Sequence, residues 1–304
     1  MIEQANAALD SSVREIWKKC FTNQNPRWME TYFRYVYRPA FAYCDIEENK
    51  VVSMLMRQPH ALAFNGRIIQ ASILSGAATL PAYRNQGRMH RLFQVVLDAC
   101  AHQELLTLLP GEETDYYVSL GFRAVYKRIR YTLTRQDVKR ITNFGCAYEP
   151  SPEDMLWVYS RFICNFNGFK ARNLRHFENL KRETAARNGK IVAFYDAGNH
   201  IQGYAVILLR GALAYVEECI YLDSLALCKL MNAALQERAT VILDVSASEN
   251  LAVLFPEAKK AERVSMMVRL NDPELFGRLF NAKIETVQDA FALSHKPLSC
   301  NERY

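Results

Sequence analysis

The turn Arg84-Asn85-Gln86-Gly87-Arg88-Met89 separates an extended apolar run from an amphipathic helix, and its chemistry is that of an anion site. A helix N-terminus leaves backbone N–H groups without acceptors and carries about half a positive charge, which suits a pyrophosphate. Gly87 keeps a Cβ out of the path of an approaching phosphate. Arg84, Arg88, His90 and Arg91 add charge-assisted donors around the same turn. An ordinary loop with solvated arginines has the same composition. A second segment, Tyr116-Tyr117-Val118-Ser119-Leu120-Gly121-Phe122, places Tyr117 one helical turn before Gly121. A phenol, with an ordinary pKa of about 10, can give its proton to a departing thiolate when a short helix aims it into a cleft. Otherwise such a tyrosine packs with its hydroxyl in water.

The elements that must position these residues are legible from periodicity. Val13, Ile16, Trp17, Cys20 and Phe21 recur at helical spacing, and an aromatic stretch over residues 28–37 follows. Strands are expected at 40–46, 51–57 and 61–64, a hairpin at Asn65-Gly66, and an extended run over 67–80. Met89, Leu92, Phe93, Val96 and Cys100 form one helical face after the glycine turn. A short strand at 105–109, a short helix at 112–120 capped by Gly121, and a strand–turn–strand over 122–134 complete the first half.

Pro150-Ser151-Pro152 marks a boundary. Beyond it come helices at 153–166 and 174–188, a hairpin at 191–195 and 201–209, a strand at 214–221, a helix at 224–238 and a strand at 241–245. This order repeats that of the first half, without a repeat of residues. The aromatic cluster Trp28, Tyr32, Phe33, Tyr35 and Tyr37 reads as core or as the wall of a pocket. Tyr126-Lys127-Arg128-Ile129-Arg130 reads as the wet face of a strand, or as a contact for a nucleotide 3′-phosphate.

A length of 304 residues, half of them hydrophobic and 23% charged, fits a two-domain globular chain. The net charge of +6 suits an anionic ligand, but no basic run makes a nucleic-acid footprint. Eight cysteines form no Cys-x-x-Cys pair and have no histidine at zinc spacing, so no metal is expected. The first residues lack signal-peptide blocks, and no apolar run is long enough to span a membrane. The expectation is a reduced, cytoplasmic protein without membrane or nucleic-acid partners.

The order of long strand, Pro81-Ala82-Tyr83-Arg84-Asn85-Gln86-Gly87-Arg88, helix, strand and Tyr117-x-x-x-Gly121-Phe122 resembles the GNAT superfamily of N-acetyltransferases. That superfamily's cofactor motif is Arg/Gln-x-x-Gly-x-Gly/Ala, and its frequent general acid is the tyrosine of such a segment. Ile16-Trp17-Lys18-Lys19-Cys20-Phe21, Ala77-Ala78-Thr79-Leu80-Pro81 and Leu108-Leu109-Pro110 are similar to the enhanced intracellular survival (Eis) group. Phe166-Asn167-Gly168-Phe169, Gly203-Tyr204, Glu217-Glu218-Cys219 and Met266-Met267-Val268-Arg269-Leu270 are similar to that group's second, degenerate domain.

The resemblance implies tandem GNAT-like α/β (α+β) domains with mixed, mostly antiparallel central sheets flanked by helices. Residues 1–148 would be the acetyl-CoA-binding catalytic domain, and 149–304 the degenerate second domain with a short tail. Ala77, Ala78 and Thr79 would meet the acetyl and pantetheine groups through backbone atoms. Arg84, Asn85, Gln86, Gly87, Arg88, Met89 and His90 would cradle the pyrophosphate, and Tyr117 would protonate the CoA thiolate. The acceptor would be an amine on a small molecule or peptide, attacking the thioester directly.

Met89 stands where most of the superfamily has Gly or Ala, and Tyr221-Leu222-Asp223-Ser224 lacks the Gly and Arg a second CoA site would need. The residues after Leu279 are too few for the Eis group's sterol-carrier-like domain, whose terminal carboxylate is its base. A base role for Tyr304 is therefore open, as it is for Glu30, Glu112, Glu113 and Asp115, and homo-oligomerisation is open too. The alternative to an enzyme is a GNAT-fold module that binds or senses CoA without turnover.

Overall fold

The computed structural model describes residues 1–302. β1 (Ile2–Gln4) leads into α1 (Asp10–Cys20) and α2 (Pro26–Tyr35), then into the strands β2 (Ala42–Glu47), β3 (Lys50–Phe64) and β4 (Arg67–Thr79). α3 (Arg88–Ala101), β5 (Leu106–Pro110), α4 (Asp115–Ser119) and β6 (Arg123–Leu133) complete a first pass. The second pass runs through β7 (Cys146–Tyr148), α5 (Pro152–Ile163), β8 (Phe169–Lys170), α6 (Leu174–Ala186), β9 (Lys190–Tyr195) and β10 (Ile201–Arg210). It ends with β11 (Leu213–Tyr221), α7 (Ser224–Glu237) and β12 (Thr240–Ser246). A further strand, β13 (Lys259–Leu270), is followed by α8 (Pro273–Phe280) and α9 (Val287–Ala292).

Local chemistry accounts for these elements. α1 buries Val13, Ile16 and Trp17, the face its spacing predicts. α2 starts where the Asn25 side chain accepts from the amides of Arg27 and Trp28, with a proline in its first turn. α3 buries Leu92, Phe93, Val96, Leu97 and Cys100 on one face. β3 runs unbroken through Pro59, where two separate strands were expected. Its β2 partner ends opposite Met56, and β8 pairs with it only at Leu62 and Ala63. Pro59 therefore lies where one side of β3 is an edge, and its missing N–H costs no ladder bond there.

The strands form one continuous sheet in the order β1-β2-β3-β4-β5-β13-β6-β12-β11-β10-β9-β7, with β8 attached to β3. Every pairing is antiparallel except β4 with β5 and β11 with β12. The mixed, mostly antiparallel architecture flanked by helices is thus as the sequence implied, built as a single sheet. β13 lies between β5 and β6, and β6 lies between β13 and β12. Each half of the sheet therefore takes a strand from the other half of the sequence. Residues 123–133 form one strand because they are paired along both sides, which removes the turn expected within 122–134. The point between 148 and 149 falls after β7, which pairs forward with β9, while β13 pairs backward with β5 and β6.

The junction is pinned by charge. Arg130 makes a bidentate contact to Asp244 at 2.9 and 3.0 Å, and Arg263 reaches the same carboxylate at 2.6 Å. Arg128 is 5% exposed and donates to the carbonyls of Cys300 and Asp244. It is therefore neither a wet strand residue nor free for a phosphate. One face of the N-terminal strands is covered by the C-terminal helices: Leu62, Phe64, Ile69, Ile73, Leu106 and Leu108 share a core with Met266, Val268, Phe276, Val287 and Phe291. No helix among the described residues is long and apolar enough to cross a membrane.

Candidate functional site

α3 begins at Gly87, which is left-handed at φ +70° and receives no side-chain cap. The first helical bond is from the Arg91 amide to the Gly87 carbonyl at 3.1 Å, so the amides just before it have no acceptor within the helix. A Cβ at Gly87 would meet nothing within 4 Å. The glycine is there for its dihedral angle, and its open side faces a cleft.

That cleft, of about 470 Å³, is lined by Ala77, Ala78, Thr79, Arg84, Asn85, Gly87, Arg88, Met89 and His90, with Cys20, Phe21, Tyr83 and Tyr116. Of the expected cofactor residues only Gln86 is absent from its lining; its amide turns back to the Ala82 carbonyl at 3.3 Å. The Arg88 guanidinium turns away to β2, bonding Asp45 at 3.0 Å and also Glu47. Arg84 bonds the Thr79 carbonyl at 3.1 Å. Met89 is half-buried and packs against the core beneath α3.

The cleft continues into an opening between strands. β4 pairs with β5 only through Ala71–Leu106, Ser72–Thr107 and Ile73–Leu108. Beyond that point Leu109 and Pro110 pair with β13 alone, so the end of β4 has no neighbour on this side. There the register of β4 against β3 slips, with Met54 opposite Ala78 and Met56 opposite Ser75. Gly76 and Ala77 thus face one residue, Leu55, in a β-bulge. Gly76 has φ +59°, and a Cβ on it would lie 2.7 Å from the Trp17 ring. Gly76→Ala is expected to cost about 1–3 kcal/mol through backbone strain and displacement of Trp17. A urea midpoint within error of the natural protein would refute this.

On the other side of the bulge lies a larger cavity of about 970 Å³. α1 and its C-cap supply Trp17 and Phe21, and α2 Trp28 and Tyr32; α6 and its C-cap supply Glu183 and Arg187, β10 supplies Arg210, and β11 Glu217 and Glu218. Phe21 lines both spaces, and the consecutive residues Gly76 and Ala77 line one each. The aromatic cluster therefore serves both: Trp28 and Tyr32 wall the cavity, and Tyr32 is also buried in the core with Phe33 and Tyr37.

The cavity's polar wall was not singled out from sequence. Arg172 bonds both oxygens of Glu218 at 2.9 and 2.7 Å and Glu302 at 3.1 Å. Lys170 reaches Glu302 at 3.2 Å, and the Tyr204 hydroxyl donates to Glu218 at 2.6 Å. Burial opposes charge on Glu218, but Arg172 and Tyr204 outweigh it and hold the carboxyl below its ordinary range. The one signal was Glu217-Glu218 inside an otherwise apolar strand, since a strand does not bury two charges unpaired. Nearby His60 is buried with both ring nitrogens unbonded, and burial pushes its pKa down to about 4.

Tyr117 does not line the cleft; Tyr116 does. The Tyr117 ring packs 6.1 Å from Phe93 and 5.3 Å from Tyr116. Glu30, Glu112, Glu113 and Asp115 are exposed and line neither space. Tyr304 lies outside the described residues. In the second pass, the N-terminus of α7 is closed by its own Asp223, which accepts from the Ala226 amide at 2.7 Å. Among the described residues, no group of three or more His, Cys, Asp or Glu is placed to hold a metal.

Residues 2–125 match the family model described as an acetyltransferase (GNAT) domain. No curated protein matches the chain. Among solved structures, a GCN5-related N-acetyltransferase from Anabaena variabilis superposes with a TM-score of 0.75 at 15% identity, over 90% of this chain and 73% of that one. Another from Kribbella flavida gives 0.70 at 14% identity, over 89% and 70%. Eis1 from Mycobacterium abscessus gives 0.69 at 14%, over 91% and 75%. Residues 2–125 thus match a GNAT acetyltransferase domain, and the chain as a whole shares its fold with GCN5-related N-acetyltransferases.

Proposed function

We propose that the chain is an acetyl-CoA-dependent N-acetyltransferase acting on an amine. The observation that carries this reading is the adjacency of two spaces. The uncapped amides of α3 and the unpaired end of β4 border one, and the larger cavity begins on the far side of Gly76 and Ala77. A pyrophosphate on the α3 amides would place the pantetheine arm in the opening between β4 and β5. The thioester would then lie at the bulge, facing an acceptor in the cavity.

The amine nitrogen would attack the thioester carbonyl, with the oxyanion held by a backbone N–H of the bulge. As the C–N bond forms and the C–S bond breaks, the nitrogen loses a proton and the sulfur gains one. Tyr117 is the proposed source of the sulfur's proton. Tyr116, which lines the cleft, is the necessary comparison. Residues 1–148 would supply the donor site, and 149–302 would supply most of the acceptor wall.

Isothermal titration is expected to show one acetyl-CoA site per chain; no heat of binding at millimolar ligand would end the proposal. Tyr117→Phe is expected to lower kcat about a hundredfold with little change in CoA affinity. If Tyr116→Phe has that effect and Tyr117→Phe does not, the acid is the neighbouring phenol. Acetyl-CoA binding without thiol release across a broad amine panel would instead mark a module that binds CoA without turnover.

A further inference from the structure

The charges in the wall of the larger cavity are paired almost throughout. Arg172 and Lys170 meet Glu218 and Glu302, and Arg187 and Arg210 meet Glu217 at 2.8 and 3.3 Å. Among the carboxylates of that wall, Glu183 is the exception. No cation lies within ion-pair distance of it among the described residues, and one of its oxygens accepts from the Trp28 indole N–H at 3.0 Å. Burial holds its carboxyl above the ordinary range despite that bond. A half-buried carboxylate with no cation in contact, acted on by Arg187 and Lys170 only from longer range, beside an indole and open to a cavity, fits an ammonium group.

The position relative to the bulge matters as much. Trp17 touches the Gly76 position, Tyr32 stacks on Trp17 at 5.6 Å, and Trp28 stacks on Tyr32 at 5.5 Å. Glu183 therefore lies at the far end of a three-ring ladder from the point where the thioester is placed. The nitrogen that attacks must be neutral, whereas one held by Glu183 is charged. They are different nitrogens.

We propose that Glu183 and Trp28 form a subsite for a second, non-reacting ammonium group of the acceptor, so that the preferred acceptors carry two separated amines. This rests on the larger cavity being the acceptor site of an acetyltransferase.

The test compares octanediamine with octylamine, following thiol release from acetyl-CoA. The diamine is expected to have a KM at least about tenfold lower, and Glu183→Gln is expected to abolish that advantage with kcat for the diamine within about twofold. Glutamine keeps an acceptor for the Trp28 indole, so a purely structural role for Glu183 would leave the advantage intact. Equal KM values for the two amines, or an unchanged advantage in Glu183→Gln, would overturn the proposal.

A readout without turnover separates this from failure of the acetyltransferase reading. Octanediamine alone is expected to shift the tryptophan emission of the natural protein, with the shift lost in Glu183→Gln and in Trp28→Phe. That result sustains the subsite even if neither amine is acetylated. No shift in the natural protein counts against it.

Discussion

A chain ending at residue 148 is expected to lack a cooperative unfolding transition, although it contains every residue expected to meet acetyl-CoA. The cut removes β13, which pairs with β5 from Met266 to Leu270 and with β6 from Lys259 to Val268. β5 keeps only its three pairs with β4, and β6 loses β12 as well. The cut also strips Phe276 and Phe291 from Phe64, whose ring they approach at 6.1 and 5.5 Å. Each large side chain lost from that core removes about 1.5–3 kcal/mol of burial. Several such losses exceed the roughly 5–15 kcal/mol by which a domain is stable.

The comparison that isolates the cause is geometric. β6 and β13 are antiparallel, and Thr132 faces Lys259. A short glycine-containing turn could therefore join residue 133 to residue 259 and return β13 to its place while omitting 134–258. That joined chain is expected to regain cooperative denaturation, monitored by circular dichroism, where the simple truncation does not. Cooperative unfolding of the 1–148 chain would show that the exchanged strand is dispensable.

The exchange is the part of the fold that sequence could not show. Strand and helix order follow from local period, and most elements lie within a few residues of expectation. Pairing between β13 and β5 depends on residues far apart in sequence, and nothing local in Lys259–Leu270 distinguishes it from a strand of the second half. The merged strand at 123–133 has the same origin, since its straightness comes from partners on both sides.

The cleft at the start of α3 was legible because most of its parts are local: a glycine at a helix start and small residues at a strand end, in the stretch from Ala77 to His90. The polar wall of the larger cavity was not. Arg172, Glu183 and Glu302 are separate in sequence, and each alone reads as a solvated charge; only Glu218, in an apolar strand, stands out. Even within the legible turn, sequence shows that Arg88 is near but not that Asp45 and Glu47 hold its guanidinium.

Arg172→Met is expected to destabilise the protein by about 3–5 kcal/mol near neutral pH, the cost of leaving the buried Glu218 carboxylate without its cation. The Arg172 side chain is 2% exposed, Glu218 7% and Glu302 6%, so water screens little of the interaction. Arg172 also lies 4.5 Å over the Tyr159 ring, a contact methionine replaces only in part.

The pH dependence identifies the cause. Burial alone would raise both carboxyls. Arg172 with Tyr204 brings Glu218, and Lys170 ahead of Arg172 brings Glu302, below their ordinary value of 4.5. A carboxyl whose folded pKa is depressed contributes stability that is complete above its unfolded pKa and lost as pH falls through the folded one. The natural protein should therefore lose this contribution progressively in acid below about 4.5. Without Arg172, burial dominates at Glu218 and its folded pKa rises above the unfolded one, while Lys170 still favours the charged form of Glu302. The sign reverses: protonation now relieves the variant, and its deficit grows as pH rises.

Urea denaturation at several pH values between acid and neutral is expected to show the gap between the two proteins narrowing as pH falls. Adding Glu218→Gln to Arg172→Met should recover part of the neutral-pH loss, because the amide strands no charge while still accepting from Tyr204. A gap independent of pH, or no recovery in the double variant, would mean that lost packing around Tyr159 rather than uncompensated charge sets the cost.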